Sequence, residues 1–439
     1  MEWYYVILLF FFLLLLFIFS GFPVAFAFFS VNIIVTTIFV GFNSGINTLV
    51  GSTFDALSKF SLTPVPLFVL MGELLFHSGI VMTLLDAFSK LIGKVPGRLS
   101  ILAIGTGTIL STMSGSAVSD SAMLGSTLAP EMRRRGYHLA MIVGPIVAAG
   151  TLGPIIPPST LGVLLGSTAR VPVGDLLIAG VVPGIVIAVI LVIYYITISC
   201  INPALAPNYD YGKSDWKEKS NALFVYIIPM SSLIFMVLGL IMFGLVTPTE
   251  SAATGVLGSI ILMFVYRRFS FKVLIKSLLG TVRVTSMILL IIAGSAGFSQ
   301  LLSYTGATRE LVDIAMTVDT APIVIIILML IIVLILGMFI EPISIMMITI
   351  PLYIPVVTAL EFDLIWFCTL MLICLGLGNV TPPFGLLLFV MKGVLPGDVK
   401  TTDIYKAVIS IVVIEVIAVI CIMIFPEIAT WLPSLSKSG

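Results

Sequence analysis

Charge is scarce in this chain. Only 10% of its 439 residues are charged and 59% are hydrophobic, against about a quarter charged in an ordinary soluble domain. So little polar surface cannot cover a water-soluble core, and the sequence reads as an all-α polytopic membrane protein. Lys plus Arg equals Asp plus Glu at 21 each, which leaves no basic stripe for a nucleic acid. Histidine is nearly absent, with His77 and His138 alone. The four cysteines (Cys200, Cys368, Cys374, Cys421) sit in apolar runs without metal-ligand spacing, which argues against a zinc site or a disulfide framework. No Gly-x-x-x-x-Gly-Lys-Ser/Thr run occurs, so nothing points to nucleotide hydrolysis, and nothing calls for an organic cofactor. The N-terminal apolar run lacks the positive n-region of a signal peptide. It is expected to be a retained first helix with Trp3, Tyr4 and Tyr5 as interface anchors.

What is present is apolar sequence cut by short basic clusters. A bilayer span needs about 20 apolar residues, so the length allows on the order of ten to twelve crossings. The clusters are Lys90/Lys94/Arg98, Arg133/Arg134/Arg135, Lys213/Lys217/Lys219 and Arg267/Arg268/Lys272/Lys276, followed by Lys392, Lys400 and Lys406. Cytoplasmic loops are enriched in Lys and Arg, which places all of these inside. Both termini then fall outside, and 4 of the 21 basic residues (Lys59, Arg170, Arg309, Lys437) lie on the outer side. Between Arg98 and Arg133 only 34 residues are available, with Ser114-Gly115-Ser116 at their middle. Each arm of about 15 residues rises only about 22 Å as helix, too little for a hydrocarbon core of about 30 Å. A re-entrant helical hairpin from the cytoplasmic side keeps both basic ends inside, and its tip must be buried in protein or line a wet cavity.

Shifting the chain against itself by 225 positions sets Leu152-Gly153-Pro154-Ile155-Ile156-Pro157-Pro158 on Leu377-Gly378-Asn379-Val380-Thr381-Pro382-Pro383. Pro130 falls on Pro355, Pro23 on Pro248 and Gly72 on Gly297. A shared Gly and Pro content of membrane helices is the plainer reading, but it does not put two Pro-Pro pairs in one register. The expected organisation is a first repeat over 1–210, with a hairpin at about 99–132 and a broken helix at about 138–165. A cytoplasmic linker covers 211–221. A second repeat over 222–432 has its hairpin at about 321–357 and its broken helix at about 364–391. The topology makes the two halves antiparallel, so the second hairpin, with its tip near Gly337–Pro342, enters from outside. Inverted repeats with interrupted helices mark secondary transporters, whose sites lie where the breaks meet near the midplane. Breaks free backbone carbonyls that suit hard cations and N-termini that suit carboxylates. With the hydroxyls of Ser114, Ser116, Ser159 and Thr381, the oxygen supply favours sodium over a transition metal.

At these residues the sequence resembles the large, DctM-like membrane subunit of the tripartite ATP-independent periplasmic (TRAP) transporters. The resemblance rests on Gly21-Phe22-Pro23, Ser114-Gly115-Ser116-Ala117, Pro130-Glu131-Met132, Arg135-Gly136-Tyr137, Gly153-Pro154-Ile155-Ile156-Pro157-Pro158-Ser159, Ala179-Gly180 with Pro183-Gly184, and Thr381-Pro382-Pro383-Phe384-Gly385. It implies sodium-coupled uptake of an organic acid across the bacterial inner membrane, with an extracytoplasmic solute-binding protein delivering the substrate. It also implies an elevator-type fold and a small four-helix membrane subunit, expected here as a separate polypeptide. Carried over by position, the sodium sites fall at Ser114, Ser116, Gly153, Pro157, Gly337, Gly378, Thr381 and Pro382, mostly through backbone carbonyls. Substrate candidates at the same breaks and tips are Gly115, Ser159, Ile340, Glu341 and Asn379. The runner-up is a sodium- or proton-coupled carboxylate transporter that works without a binding protein.

Asp120 and Glu341 lie in or beside the tips, and intramembrane carboxylates are functional candidates by default. A structural hydrogen bond is the plainer role for each. Glu415 stands in the last long helix without an obvious partner, whereas Glu73, Asp86 and Glu250 are expected near interfaces or beside bases such as Lys90. Small residues at a tip can also serve close helix packing, and a lone proline a kink. A serine hydrolase built from Ser116 and His138 needs the two within hydrogen-bond reach. A channel is usually a symmetric oligomer around a filter, unlike a repeat inside one chain.

Overall fold

The computed structural model describes residues 3–93, 95–114, 116–207 and 216–437. Gly115, Lys94, Lys213 and residues 208–215 lie outside the described residues, as does the side chain of Ser114. All regular structure among the described residues is helical. The chain opens with α1 (Trp3–Phe19), α2 (Val24–Phe39), α3 (Phe42–Leu57), α4 (Pro64–His77) and α5 (Ile80–Leu91). Next come α6 (Arg98–Ser114), α7 (Ala117–Arg134), α8 (Leu139–Leu152), α9 (Thr160–Ala169) and the long α10 (Val173–Ile201). A third group is α11 (Trp216–Asn221), a π-helical turn (Ala222–Ile227), α12 (Ile228–Met242), α13 (Pro248–Val265), α14 (Phe271–Tyr304) and α15 (Ala307–Thr317). The last is α16 (Pro322–Gly337), α17 (Pro342–Ala359), α18 (Leu364–Gly378), α19 (Leu386–Val394), α20 (Thr401–Ile424) and α21 (Glu427–Lys437).

Proline sets many of these starts. It occupies the first turn of α4, α12, α13, α16 and α17, where its missing N–H has no intrahelical role and its fixed φ suits the helix. α13 adds a reciprocal cap: Thr247 Oγ1 accepts from Glu250 N–H at 3.3 Å, and Glu250 Oε2 accepts from Thr247 N–H at 2.7 Å. Asp363 caps α18 by accepting from Trp366 N–H at 2.8 Å. Among the described residues, seven helical stretches are long and apolar enough to cross a membrane, α10, α14 and α20 among them. α8 and α18, with 14 and 15 residues, are not among them. At about 1.5 Å per residue they end well short of a full crossing.

The four groups assemble as two bodies. The first and third make a peripheral body, in which α14 packs along α2, α3 and α4, and α13 along α4 and α12. Close approach there depends on small residues and one polar tie: Gly294 lies against Phe28, and Asn32 Nδ2 donates to Gly294 O at 2.5 Å. The second and fourth make a central body around α8, which meets α6, α7 and α20, and α18, which meets α16 and α20. α8 is buried from Met141 and α18 from Trp366, each to its end, so these two short helices form the core. The bodies meet where α4 touches α6 and α9, and where α14 and α15 touch α17.

The α6–α7 pair starts and finishes at one end of the molecule. Gly97 (φ +70°) packs on Ser199 near the end of α10, and His138 N–H, just past α7, donates to Leu205 O in the turn after α10 at 2.8 Å. Arg133 at the end of α7 pairs with Asp398 between α19 and α20. That guanidinium holds the Asp398 carboxyl below its usual range, chiefly through the hydrogen bond. Arg134, then Arg135, does the same to Glu131. Lys59, elsewhere on the molecule, is lowered by partial burial and by the like charge of Arg170.

Candidate functional site

A cavity of about 530 Å³ lies between the two bodies. Its peripheral wall is Pro23, Val24 and Ala25 at the start of α2, Val69 and Glu73 of α4, and Val284, Met287, Ile288 and Ile291 of α14. That wall is apolar except for Glu73, whose carboxylate is 3.0 Å from His77 Nε2 one turn on. The other wall comes from the central body and is mixed: Ser111, Ser116, Ser119, Ser159, Thr160, Glu341 and Asn379 stand among Gly153, Pro154 and apolar residues such as Val118, Leu161, Ile343 and Leu386. Among the described residues, no Lys, Arg or His lines the cavity.

The polar part of that wall is built at places where helices start or stop. Ser116 caps α7, its Oγ accepting from Ser119 N–H at 3.3 Å and donating to Ser119 Oγ at 3.0 Å. Glu341 caps α17 more fully. Its carboxylate accepts from the N–H of Ile343 at 3.2 Å, the N–H of Ser344 at 3.0 Å and the Ser344 hydroxyl at 2.7 Å. An anion is favoured at this site because the first-turn N–H groups carry positive partial charge. Ser159 caps α9 by accepting from Gly162 N–H at 3.0 Å and closes its own break by donating to Pro154 O at 2.7 Å.

The two interrupted helices are α8 with α9, separated by 153–159, and α18 with α19, separated by 379–385. Both interruptions contain a cis Pro-Pro bond, Pro157-Pro158 and Pro382-Pro383. They are packed at backbone distance. A Cβ on Gly376 would come 2.6 Å from Thr151 O, and one on Gly337 would come 2.8 Å from the Cα of Gly378. A Cβ on Gly153 would meet Ser111 Cβ at 2.9 Å. Only glycine leaves room for these contacts. Two polar groups on this wall are buried without an internal partner: Asn379 Oδ1, on a residue 5% exposed, and Ser111 Oγ, on one 1% exposed. A buried acceptor or hydroxyl left alone costs about 1–3 kcal/mol, so both await a ligand or water.

Of the residues expected at a site, Ser116, Gly153, Ser159, Glu341 and Asn379 come together on this cavity. Gly337 and Gly378 lie behind it, back to back. Thr381 donates to Leu377 O at 2.7 Å within its own break, while Pro157, Pro382 and Ile340 are not on the cavity wall. Gly115 and the Ser114 side chain fall outside the described residues. Sequence reasoning missed Glu73, which was expected near an interface and instead faces the cavity, and Ser111. Ser111 could have been found, since it sits one helical turn before Ser114 and shares its face. Glu73 could not, because its place depends on α4 meeting the central body. His138 caps the start of α8, whereas Ser116 shares the cavity with Gly153 beyond its end. Fourteen residues of α8 separate them, about 21 Å of helix, which rules out a Ser–His pair.

Apolar helices in two bodies, with a cavity between them whose polar groups cluster where buried helices break, define a multi-pass membrane transporter. The chain matches the profile "Tripartite ATP-independent periplasmic transporter, DctM component" over residues 11–428, and it belongs to that family of TRAP transporter large permeases. It is 28% identical to the sialic acid TRAP transporter large permease protein SiaM of Vibrio cholerae, over 95% of this chain and 96% of that one. It is 29% identical to the C4-dicarboxylate TRAP transporter large permease protein DctM of Pseudomonas aeruginosa, over 89% and 90%. The sialic acid TRAP transporter permease protein SiaT of Haemophilus influenzae is 27% identical over 95% of this chain, which spans 66% of that longer protein. Among solved structures, the YdaH transporter of Alcanivorax borkumensis shares the fold with a TM-score of 0.62 at 15% identity, covering 91% of this chain and 90% of that one.

Proposed function

We propose that this permease carries an organic acid inward across the bacterial inner membrane, coupled to sodium, with both termini periplasmic. The central body moves against the peripheral one as an elevator, and α6–α7 and α16–α17 are re-entrant hairpins whose tips travel with it. The observation that carries this reading is the cavity itself. It sits on the seam between two bodies, and, Glu73 apart, the side chains on it that can bind a polar ligand belong to one of them. The inverted repeat is supported by positions 225 apart that share a role or a place. Ser116 and Glu341 each cap the second helix of a pair, and Thr151 and Gly376 touch each other, as residues beside a two-fold axis do.

Sodium is supported by the donor set. The breaks offer carbonyls at two half-helix C-termini, where negative partial charge accumulates, together with hydroxyls and an amide but no soft ligand. Backbone carbonyls at Gly153, Pro157, Gly378 and Pro382 and the hydroxyls of Ser116 and Thr381 are the proposed ligands. With no basic side chain on the cavity wall, a carboxylate substrate relies on bound sodium and on helix N-termini for its counter-charge. Sialic acid and C4-dicarboxylates, named for the relatives, are the first candidates. A separate small four-helix subunit and an extracytoplasmic solute-binding protein complete the proposed machine.

The test is uptake by proteoliposomes holding the permease, the small subunit and the substrate-loaded binding protein. An inward sodium gradient is expected to drive accumulation that stops when choline replaces sodium. Uptake indifferent to sodium would end the coupling claim, and full uptake without the binding protein would end the tripartite one.

A further inference from the structure

Glu415 lies in the middle of α20, on the side of the breaks away from the cavity. It is 1% exposed, Oε1 is within hydrogen-bond reach of the Thr151 hydroxyl, whose single hydrogen also has Ala148 O as an acceptor at 2.8 Å, and Oε2 has no hydrogen-bond partner. Thr151 is in the last turn of α8, and its carbonyl is the atom that Gly376, in the last turn of α18, approaches. The carboxylate therefore stands where two helices end together. Each such end carries roughly half a negative charge, so the region gathers negative charge from three sources. No compensating base is at hand. α8, α10 and α18, which pack on α20, contain no Lys, Arg or His. Their titratable groups are Asp175, Tyr194, Tyr195 and Cys200 of α10 and Cys368 and Cys374 of α18. Lys392 of α19 is committed to Val399 O, and Lys406 of α20 is nine residues away. Buried charge without a partner costs several kcal/mol per ion, so the carboxyl is stable there as the neutral acid or, once ionised, with a cation close by.

We propose that Glu415 is the counter-charge for a monovalent cation held where α8 and α18 break, acting across Thr151 rather than as a ligand. This rests on the sodium reading above and deepens it. It makes Glu415 a positioning residue, acting through the electrostatic field and through the hydrogen bond that fixes the rotation of the last turn of α8. The other orphaned groups fit the same picture from the opposite side, since Ser111 and Asn379 face the breaks from the cavity wall.

The purified chain in nanodiscs is heated in NaCl–choline chloride mixtures of constant ionic strength, and the melting temperature is followed against sodium. Wild type is expected to gain stability with sodium, and Glu415→Gln, which keeps an acceptor for Thr151 and loses the charge, to need on the order of tenfold more sodium for half the gain. Tenfold is about 1.4 kcal/mol, the effect of one unit charge about 12 Å away at an effective dielectric near 20. In choline alone the Gln variant is expected to melt close to wild type, because the amide replaces a carboxyl that keeps its proton when no cation is bound; a markedly lower melting temperature would mark a structural role instead. Thr151→Val, which keeps the charge, should stay within about threefold of wild type. An unchanged half-saturation in Glu415→Gln, or an equal shift in Thr151→Val, overturns the proposal. If Glu415→Gln does not fold, the wild type decides: sodium, and not choline, should protect Glu415 from a hydrophobic carbodiimide, read by peptide mass spectrometry, and equal labelling in both salts overturns it. A wild type that ignores sodium while melting cooperatively brings down the sodium reading as well. A sodium response that survives in Glu415→Gln brings down this proposal alone.

Discussion

The two broken helices meet at backbone distance, yet they are finished differently. The break after α8 is closed by its own side chain. Ser159 ties to Pro154 O on one side and to Gly162 N–H on the other, and its polar capacity is largely spent. The break after α18 has no such tie at its far end, because Gly385 precedes α19 without a side-chain cap. Asn379 is left with a free buried oxygen. The helix pairs that face them differ in the same sense. α7 starts at a neutral serine, whereas α17 starts at a carboxylate that takes three hydrogen bonds. One break ties itself, though Ser111 Oγ beside it stays without a partner, and the other half is charged at its cap and open at its break. Equivalent backbones need not carry equivalent chemistry, and the open half is where ligand dependence should concentrate.

The largest test of that difference concerns the glycines. At Gly337 and Gly378 an added methyl would strike backbone, at 2.8 and 2.7 Å, whereas at Gly153 the nearest atom is the Cβ of Ser111 at 2.9 Å. Gly378→Ala should cost about 3 kcal/mol, the upper end for forced overpacking, and abolish uptake. Gly153→Ala should cost about 1 kcal/mol, a ranking checked by thermal unfolding in nanodiscs. Equal losses would erase the distinction. Next come the caps. Glu341→Ala should lose about 2 kcal/mol and Ser116→Ala about 0.5–1 kcal/mol, the two ends of the capping range, measured in the same unfolding assay. A larger loss at Ser116 would reverse the assignment of the charged tip as the stronger anchor. The smallest effect on stability is the sharpest on function. Asn379→Ala should leave unfolding within about 0.5 kcal/mol, as expected where no internal bond is lost, yet raise the half-saturation for substrate or sodium in the uptake assay. Ser159→Ala should lower stability by about 1 kcal/mol with a smaller kinetic change. Unchanged transport in Asn379→Ala would mean that the free oxygen is merely hydrated.

The membrane character and family membership were legible in composition and in the Gly-Pro-Ile-Ile-Pro-Pro and Val-Thr-Pro-Pro-Phe-Gly runs, because helix breakers act locally. So was half of the cavity's polar lining, since caps such as Ser116, Ser159 and Glu341 are set by residues three or four positions apart. What stayed hidden depends on contacts across hundreds of residues. Glu415 looked partnerless until Thr151, 264 positions away, supplied a hydroxyl. Glu73 gained its place on the cavity only when α4 met the central body. Thr381 shows the opposite limit: its hydroxyl, attractive in sequence as a cation ligand, donates back to Leu377, which leaves only its lone pairs for an ion.

The peripheral wall of the cavity, apolar but for Glu73, has a mechanical meaning. Contact with Val69, Val284, Ile288 and Ile291 has no preferred direction or register, so a surface sliding past them breaks no specific bond and climbs no staircase of partial fits. Under the proposed movement that wall is a low-friction bearing. On that proposal, whatever decides whether the carrier travels rides with it, on the wall that holds Asn379 and Ser111.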